Sequence, residues 1–348
     1  MEWISDPRLR RPPEFRVAST APIKRPATVY YLCPDVSYAA GGVRVIYRHV
    51  DALNSIEIPA AVVHFRKGFS CTWFEHKTQT VSASEITLTP SDILVVPEWY
   101  GKWLDFMPVG PRVILFNQNA YRTFGGPMAP NATGPYPDVS CLEAILVVSD
   151  DNAEYVRYAF PQARVEIIRN AIDNRLFNPA KSSPGHRIAV MPRKRAADCQ
   201  QVLDLLAMRG CLDKWEVLRI EGLSEKGTAE ALRSCAIFLS FSEQEGFGLP
   251  PAEAMACGCY VVGFTGHAGR EYFHPDVCSQ VEDGNTLAFA QAAEKIILEF
   301  NQNPDYVRQR GLAASARILS EYSPESQLLD LKSFFSHVYT ASARRQQK

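Results

Sequence analysis

The order of apolar runs along this chain predicts an α/β protein made of two similar domains, each with a parallel sheet. Three observations carry that expectation. Short continuous apolar runs alternate with stretches of helical periodicity through most of the 348 residues. The runs lack the polar alternation of a half-solvated sheet, which is the pattern of strands covered on both faces. A chain of 348 residues also exceeds what one ordinary core organises. The expected divisions are a tail over 1–26, a first domain over 27–180, a second over 181–322 and a closing segment over 323–348.

The tail carries Pro12, Pro13, Pro22 and Pro26 without hydrophobic periodicity. Its cations Arg8, Arg10, Arg11 and Arg16 are mixed with Glu2, Asp6 and Glu14, so they read as solvated charges with at most a peripheral membrane contact. Strand formers at 28–32 begin the first domain, and Gly41-Gly42 precede a helical pattern over 43–53. Further strands are expected at 61–65, 93–96, 113–116 and 145–148. Residues 121–137, rich in Gly and Pro, read as a long functional loop. After a Ser/Pro/Gly linker at 181–186, strands are expected at 188–191, 217–220, 237–240 and 260–263. Helical patterns cover 198–209, 228–234, 252–257 and 287–300, and two more over 305–321 and 325–338 close the chain.

Composition excludes several classes. A hydrophobic share of 46% with 22% charged residues describes a soluble globular protein. The net charge of −1 offers no general affinity for nucleic acid or anionic membrane. No apolar run reaches bilayer-spanning length, and the first residues hold charges and prolines where a secretion signal would be apolar. The nine cysteines are scattered without zinc spacing, and Cys257 and Cys259 straddle a helix stop and a strand start. They read as reduced buried residues, and the expected compartment is cytoplasmic.

The most informative segment is Glu245-Gly-Phe-Gly-Leu-Pro-Pro-Ala-Glu253. Two carboxylates bracket a glycine-broken loop between an apolar strand and a short helix with prolines in its first turn and Gly258 as its stop. Leu249 offers no side-chain cap, so the first helical N–H groups need another partner, and an anion such as a phosphate would supply one. A Gly-rich surface turn with two solvated acids is the competing reading. Upstream, Met191-Pro-Arg193-Lys194-Arg195 places three consecutive cations after a strand, able to hold a diphosphate or to pair with Asp198.

These residues resemble the E-x7-E signature of retaining glycosyltransferases of the GT-B fold, the glycosyltransferase group 1 family. The resemblance implies two Rossmann-like domains with parallel sheets facing an interdomain cleft, and a closing helix that packs back on the first domain. Val165-Glu-Ile-Ile-Arg-Asn170 resembles the family's crossing between domains, with Arg169 for the usual Pro and Ala171 for the usual Gly. By resemblance, Glu245 contacts hydroxyls of the donor sugar, Glu253 accepts from the nucleotide ribose, and the amides of Gly246, Phe247, Gly248 and Leu249 approach sugar and diphosphate. Arg193 with Lys194 or Arg195 would neutralise the diphosphate, making Glu245, Arg193 and Lys194 the expected catalytic set. Gly222, Leu223 and Ser224 would lie against the base and Gly41 and Gly42 near the diphosphate, while Gly266-His-Ala-Gly-Arg-Glu271 resembles a family loop opposite the sugar, where His267 is either a sugar contact or an exposed loop histidine. Pro192 replaces a family Gly, and the expected Lys further on is absent.

Glu98, Asn117, Gln118 and Asn119 follow first-domain strands, where ligands of open α/β sheets gather, and are the acceptor-side candidates. Many family members carry a His near the last three, so these amides either meet a sugar or cap the following turn. His49 and His64 fall in helical and strand patterns and read as structural, while Trp99, Tyr100 and Trp103 would stack on an acceptor or fill the core. The implied reaction moves a sugar from a nucleotide-diphosphate sugar to a hydroxyl of a glycan, polysaccharide or glycolipid precursor. It needs no metal, cofactor or protein nucleophile. A catalytically impaired partner subunit and a sugar-nucleotide epimerase are the alternatives.

Overall fold

The computed structural model describes residues 12–18, 26–125, 134–136 and 139–346. Expectations for the rest of the tail, including Arg8, Arg10 and Arg11, and for part of the 121–137 loop lie outside the described residues. The chain divides into two compact units. One holds the residues up to Arg169 together with those from Gln327 onward, and the other runs from Asn170 to Ser326. The sequence alone places these crossings at 180 and 323. The second unit claims residues 170–180 because Ile172 N–H donates to Tyr322 O at 2.8 Å and Arg233 Nη1 donates to Leu176 O at 2.5 Å.

The first unit centres on a seven-stranded, wholly parallel sheet. Its strands are β2 (Val29–Leu32), β3 (Ala60–His64), β4 (Thr80–Ser82), β6 (Ile93–Pro97), β7 (Arg112–Asn117), β8 (Leu142–Val147) and β9 (Val165–Ile167). Their order is β4-β3-β2-β6-β7-β8-β9. Val29–Leu32, Ala60–His64 and Ile93–Pro97 are buried at every position, as strands covered on both faces require. Helix α1 (Gly41–Ser55) follows β2, and α2 (Asp150–Ala159) follows β8 with Ser149 Oγ capping Asn152 N–H. A two-stranded pairing adds β1 (Arg16–Val17) to β5 (Thr87–Leu88) in parallel. This corrects the reading of 1–26 as a tail throughout: Phe15 packs against the core and Arg16–Val17 pair with the domain.

The second unit holds a five-stranded parallel sheet, ordered β11-β10-β12-β13-β14. Its strands are β10 (Gly185–Val190), β11 (Glu216–Arg219), β12 (Cys235–Glu245), β13 (Tyr260–His267) and β14 (Cys278–Gln280). Helices α3 (Ala196–Met208) and α6 (Thr286–Gln302) pack on one face, where Ile237, Leu239 and Phe241 of β12 meet Val202, Leu206 and Phe289. Helices α4 (Glu225–Arg233), α5 (Leu249–Ala256) and α7 (Pro304–Glu321) pack together on the other. The last helix, α8 (Pro324–Gln346), starts in the second unit and continues in the first. There Gln327 Nε2 donates to Arg169 O at 2.8 Å, Arg164 lies 5.3 Å over the Phe334 ring, and Phe335 is fully buried near Tyr31. Among the described residues, no helix is long and apolar enough to cross a membrane.

Candidate functional site

In the second unit β10 lies between β11 and β12, so the chain leaves β10 to opposite sides of the sheet. Such a switch point opens a crevice at the carboxyl ends of the strands. The candidate cations leave β10 at that point, and Glu245 ends β12 beside it. Lys194 Nζ bonds Glu245 Oε1 at 2.7 Å and donates to Glu243 O at 2.8 Å. Both side chains of the ion pair keep about a fifth of their surface exposed (20% and 22%), so the pair faces a crevice rather than the core. The other two cations diverge. Arg195 is committed to carboxylates, Asp198 at 3.0 Å and Asp283 at 2.9 Å, and lies 5.0 Å over the Phe264 ring. These acids hold its pKa above the ordinary arginine value against the opposing pull of burial, and its charge is already balanced. Arg193 is exposed and has no hydrogen bond or ion pair among the described residues. Of the three, Lys194 and Arg193 remain able to meet a ligand.

The loop between the two glutamates is held from below. Gly248 adopts φ 87° and ψ 64°, the left-handed region, and serves as the N-cap of α5 without a side-chain hydrogen bond. Tyr272, buried, places its hydroxyl 3.1 Å from Phe247 O and 2.7 Å from Gly248 O. A Cβ on Gly248 would stand 2.7 Å from that hydroxyl oxygen, so only glycine fits. Phe247 turns its ring inward against Tyr272 and Tyr322, at 5.3 and 5.1 Å, leaving only its backbone for the crevice. Tyr322 Oη in turn donates to Glu271 Oε1 at 3.1 Å. Pro250 and Pro251 fill the first turn of α5, and Glu253, 5% exposed, lies within the helix. Gly258, at φ 87°, ends the helix, with Gly258 N–H bonded to Met255 O and Cys259 N–H to Ala254 O.

Strand β12 runs farther than its apolar residues. A bulge between Ser242 and Glu245, with Gln244 at φ 43°, carries the pairing on until Glu245 stands opposite His267 of β13. Gly266 lets the strands close there, because an added Cβ would lie 3.0 Å from Glu245 Cγ and 2.9 Å from Ser242 Cβ. Gly222 sits at φ 67° with open space around it, and Leu223 is exposed. The Ser224 hydroxyl is taken up as the N-cap of α4, accepting from Gly227 N–H at 3.1 Å.

The first unit repeats the switch point between β2 and β6. Gly41 and Gly42 open α1 there, and Glu98 follows β6. Gln118 joins them, its side chain donating to Gly42 O at 3.1 Å and its backbone N–H to Glu98 Oε2 at 3.3 Å. Burial pushes the Glu98 carboxyl up to about 7, against the N–H donors and the Arg122 charge that pull it down. Asn117 corrects the sequence reading. It is fully buried, and its amide donates to Thr123 Oγ1 at 2.8 Å and Tyr136 Oη at 2.7 Å, so it is a core group rather than an acceptor contact. The Asn119 side chain caps Tyr121 N–H at 3.1 Å, the turn-capping alternative. Tyr100 and Trp103 belong to the core and Trp99 packs against it. His64 is buried between Asp35 (3.0 Å) and Tyr47 (2.7 Å), and burial beside Phe116 lowers His49 to about 3.

Sequence reasoning missed Tyr272 and the carbonyl of Glu243. A tyrosine one residue after Glu271 carries no motif, and a backbone oxygen leaves no trace in side-chain identity. Among the described residues, no cluster of His, Cys, Asp and Glu is placed to hold a metal ion.

Residues 195–299 match the family described as glycosyl transferases group 1, a span that contains both Glu245 and Glu253. An alpha-1,6-glucosyltransferase of Actinobacillus pleuropneumoniae serotype 7 (strain AP76) is 31% identical over 284 residues, covering 78% of this chain and 83% of that protein. Among solved structures, sucrose-phosphate synthase of Thermosynechococcus elongatus is similar with a TM-score of 0.64 at 13% identity, covering 90% of this chain and 100% of that one. Anabaena HepE in complex with UDP and glucose is similar with a TM-score of 0.62 at 14% identity, covering 89% and 100%. The fold is that of the GT-B glycosyltransferases.

Proposed function

Because this chain belongs to the glycosyltransferase group 1 family, we propose that it is a retaining enzyme that moves a sugar from a nucleoside-diphosphate sugar to a hydroxyl of a saccharide acceptor. The acceptor class is a glycan, polysaccharide or glycolipid precursor. The observation that carries this reading is the Lys194–Glu245 pair at the switch point of the second unit, beside a glycine loop that leads into an N-terminally uncapped helix. UDP is the first donor nucleotide to try, since HepE was solved with UDP and glucose and the Actinobacillus relative is a glucosyltransferase.

In the reaction, the bond between the anomeric carbon and the diphosphate oxygen breaks as the acceptor oxygen bonds on the same face. The acceptor proton passes to the departing phosphate. What the protein must supply is stabilisation of the negative charge that grows on the leaving group, which fixed cations and N–H dipoles provide without reorganising. Lys194, Arg193 and the Leu249 N–H at the start of α5 are the groups for that task, since Pro250 and Pro251 in the same turn carry no N–H. Glu245 orients and polarises the sugar, and Glu253 accepts from the ribose. Glu98 and Gln118 supply hydrogen-bonding groups on the first unit's rim. The test is donor turnover over a panel of UDP- and GDP-sugars. Glu245→Gln should lower kcat at least tenfold while leaving nucleoside-diphosphate binding near the wild-type value. Unchanged kcat would remove the assigned role of Glu245.

A further inference from the structure

Three non-glycine residues among those described have positive φ: Glu57, Gln244 and His267. Glu57 lies just beyond the end of α1, a normal place for such a conformation. The other two flank Glu245, one beside it in β12 and one paired across from it in β13. His267 is the more unusual. Its φ of 70° and ψ of −66° are those of a true γ-turn, a rare and strained conformation for an L-residue. Gly266 at the preceding position has φ 62°, so the local backbone is of a kind that glycine occupies without cost. A second glycine at 267 would remove the strain, yet the chain carries an imidazole there.

The surroundings over-determine this geometry. His267 N–H donates to Thr265 Oγ1 at 3.3 Å, and Arg270 Nε donates to His267 O at 3.0 Å. Gly266 packs against the Glu245 side chain so closely that no Cβ fits between them. The half-buried His267 is therefore fixed in register with the carboxylate proposed to orient the sugar. Strain held in place by its neighbours gathers at ligand clamps, and an imidazole offers one donor and one acceptor, which matches a sugar hydroxyl.

We propose that His267 contacts the transferred sugar, hydrogen-bonding a hydroxyl adjacent to the one held by Glu245, and so sets which hexose is accepted. This rests on the reading of the chain as a nucleoside-diphosphate-sugar transferase. Histidine at 267 thus trades backbone stability for sugar recognition.

The experiment compares full-length His267→Gly, His267→Ala and His267→Asn with wild type. Hydrolysis of UDP-glucose, UDP-N-acetylglucosamine and GDP-mannose is measured, together with calorimetric binding of UDP and GDP and thermal melting. Glycine and alanine both remove the imidazole, but only glycine relieves the strain. His267→Gly should melt a few degrees above His267→Ala, and both should lose at least tenfold in kcat/KM for the preferred donor. Asparagine, which keeps a hydrogen-bond donor and acceptor near the same place, should recover part of that loss. Binding of the sugar-free nucleotide should stay within twofold. Normal turnover in the glycine variant overturns the proposal, as does an equal loss of nucleotide affinity, which would make His267 a phosphate contact. Equal melting of the glycine and alanine variants removes the trade between strain and recognition. A wild type that neither binds UDP or GDP nor turns over any donor sinks the transferase reading itself, a result distinct from all of these.

Discussion

Adding one methyl group at Gly248 measures how the loop between Glu245 and Glu253 is held. Two costs add. An L-residue at φ 87° and ψ 64° occupies the left-handed region at about 1–2 kcal/mol. The new Cβ would also lie 2.7 Å from Tyr272 Oη, well inside ordinary contact. Tyr272 is 1% exposed, its ring is lodged near Phe247 and Tyr322, and its hydroxyl proton is shared between two loop carbonyls. With no room to swing, overpacking should cost about 1–3 kcal/mol more. Gly248→Ala is therefore expected to destabilise by about 2–5 kcal/mol. Tyr272→Phe alone loses one shared hydrogen bond, about 1 kcal/mol. In the double variant the clashing oxygen is gone, so only the left-handed cost and the lost hydrogen bond remain. Urea unfolding of the four proteins should show the double variant less destabilised than the sum of the singles, by the overpacking share of about 1–3 kcal/mol. Simple additivity would refute the account of why glycine stands at 248.

The remaining predictions concern charge. Glu98 has a carboxyl raised from 4.5 to about 7, so the folded chain holds its proton where the unfolded chain has released it. Stability should fall as pH rises from about 4.5 to about 7 and then level off, with Glu98 contributing at most about 3 kcal/mol of that fall. Glu98→Gln keeps an acceptor for Gln118 N–H but cannot titrate, so this part of the pH dependence should vanish in denaturation curves. A wild type and variant with identical pH profiles would contradict the burial of that carboxyl. Lys194→Met leaves Glu245 without its 2.7 Å partner and removes one cation from the crevice. Donor kcat/KM should drop more than tenfold, while the melting temperature stays within a few degrees because both partners keep solvent contact. A fall in stability with normal turnover would make the lysine a structural residue.

Much of the fold was legible because its central strands are buried on both faces and therefore read as unbroken apolar runs. The chain of β2, β3, β6 and β7, and that of β10, β12 and β13, follows from those runs. What escaped was short or polar. The three-residue edge strands Val165–Ile167 and Cys278–Gln280 are too brief to show a period, and Arg16–Val17 pair with only two residues of β5. Helix α2 carries too few apolar residues to show a helical period, and only Ser149 followed by Asp150 and Asp151, a helix-start signal, marks it. The extension of β12 through Ser242-Glu-Gln-Glu245 had no hydrophobic signature, since it depends on a bulge and a left-handed Gln244.

The candidate site was legible only where local chemistry and topology coincide. In the second unit the first strand of the sheet is interior, and the chain leaves it toward β11 on one side and returns to β12 on the other. Residues that follow β10 and residues that end β12 must then share one crevice, which is why a cation and an acid 51 positions apart in sequence (Lys194 to Glu245, 245 − 194) form an ion pair. Spacing around Glu245 exposed one wall, and the run of three cations exposed the other. The choice among those cations was not local. Arg195 is withdrawn by Asp283, 88 residues away, and nothing in Arg193-Lys194-Arg195 announces that partner. The same limit separates Asn117 from Gln118. As neighbouring amides they are equivalent in sequence, but Asn117, the last residue of β7, is fully buried, whereas Gln118, one position on, turns to Gly42 and Glu98. In both units a parallel sheet with an interior first strand, flanked on both sides by later strands, fixes where ligand-binding groups can gather. Long-range pairing then decides which of the local candidates stay available to a ligand.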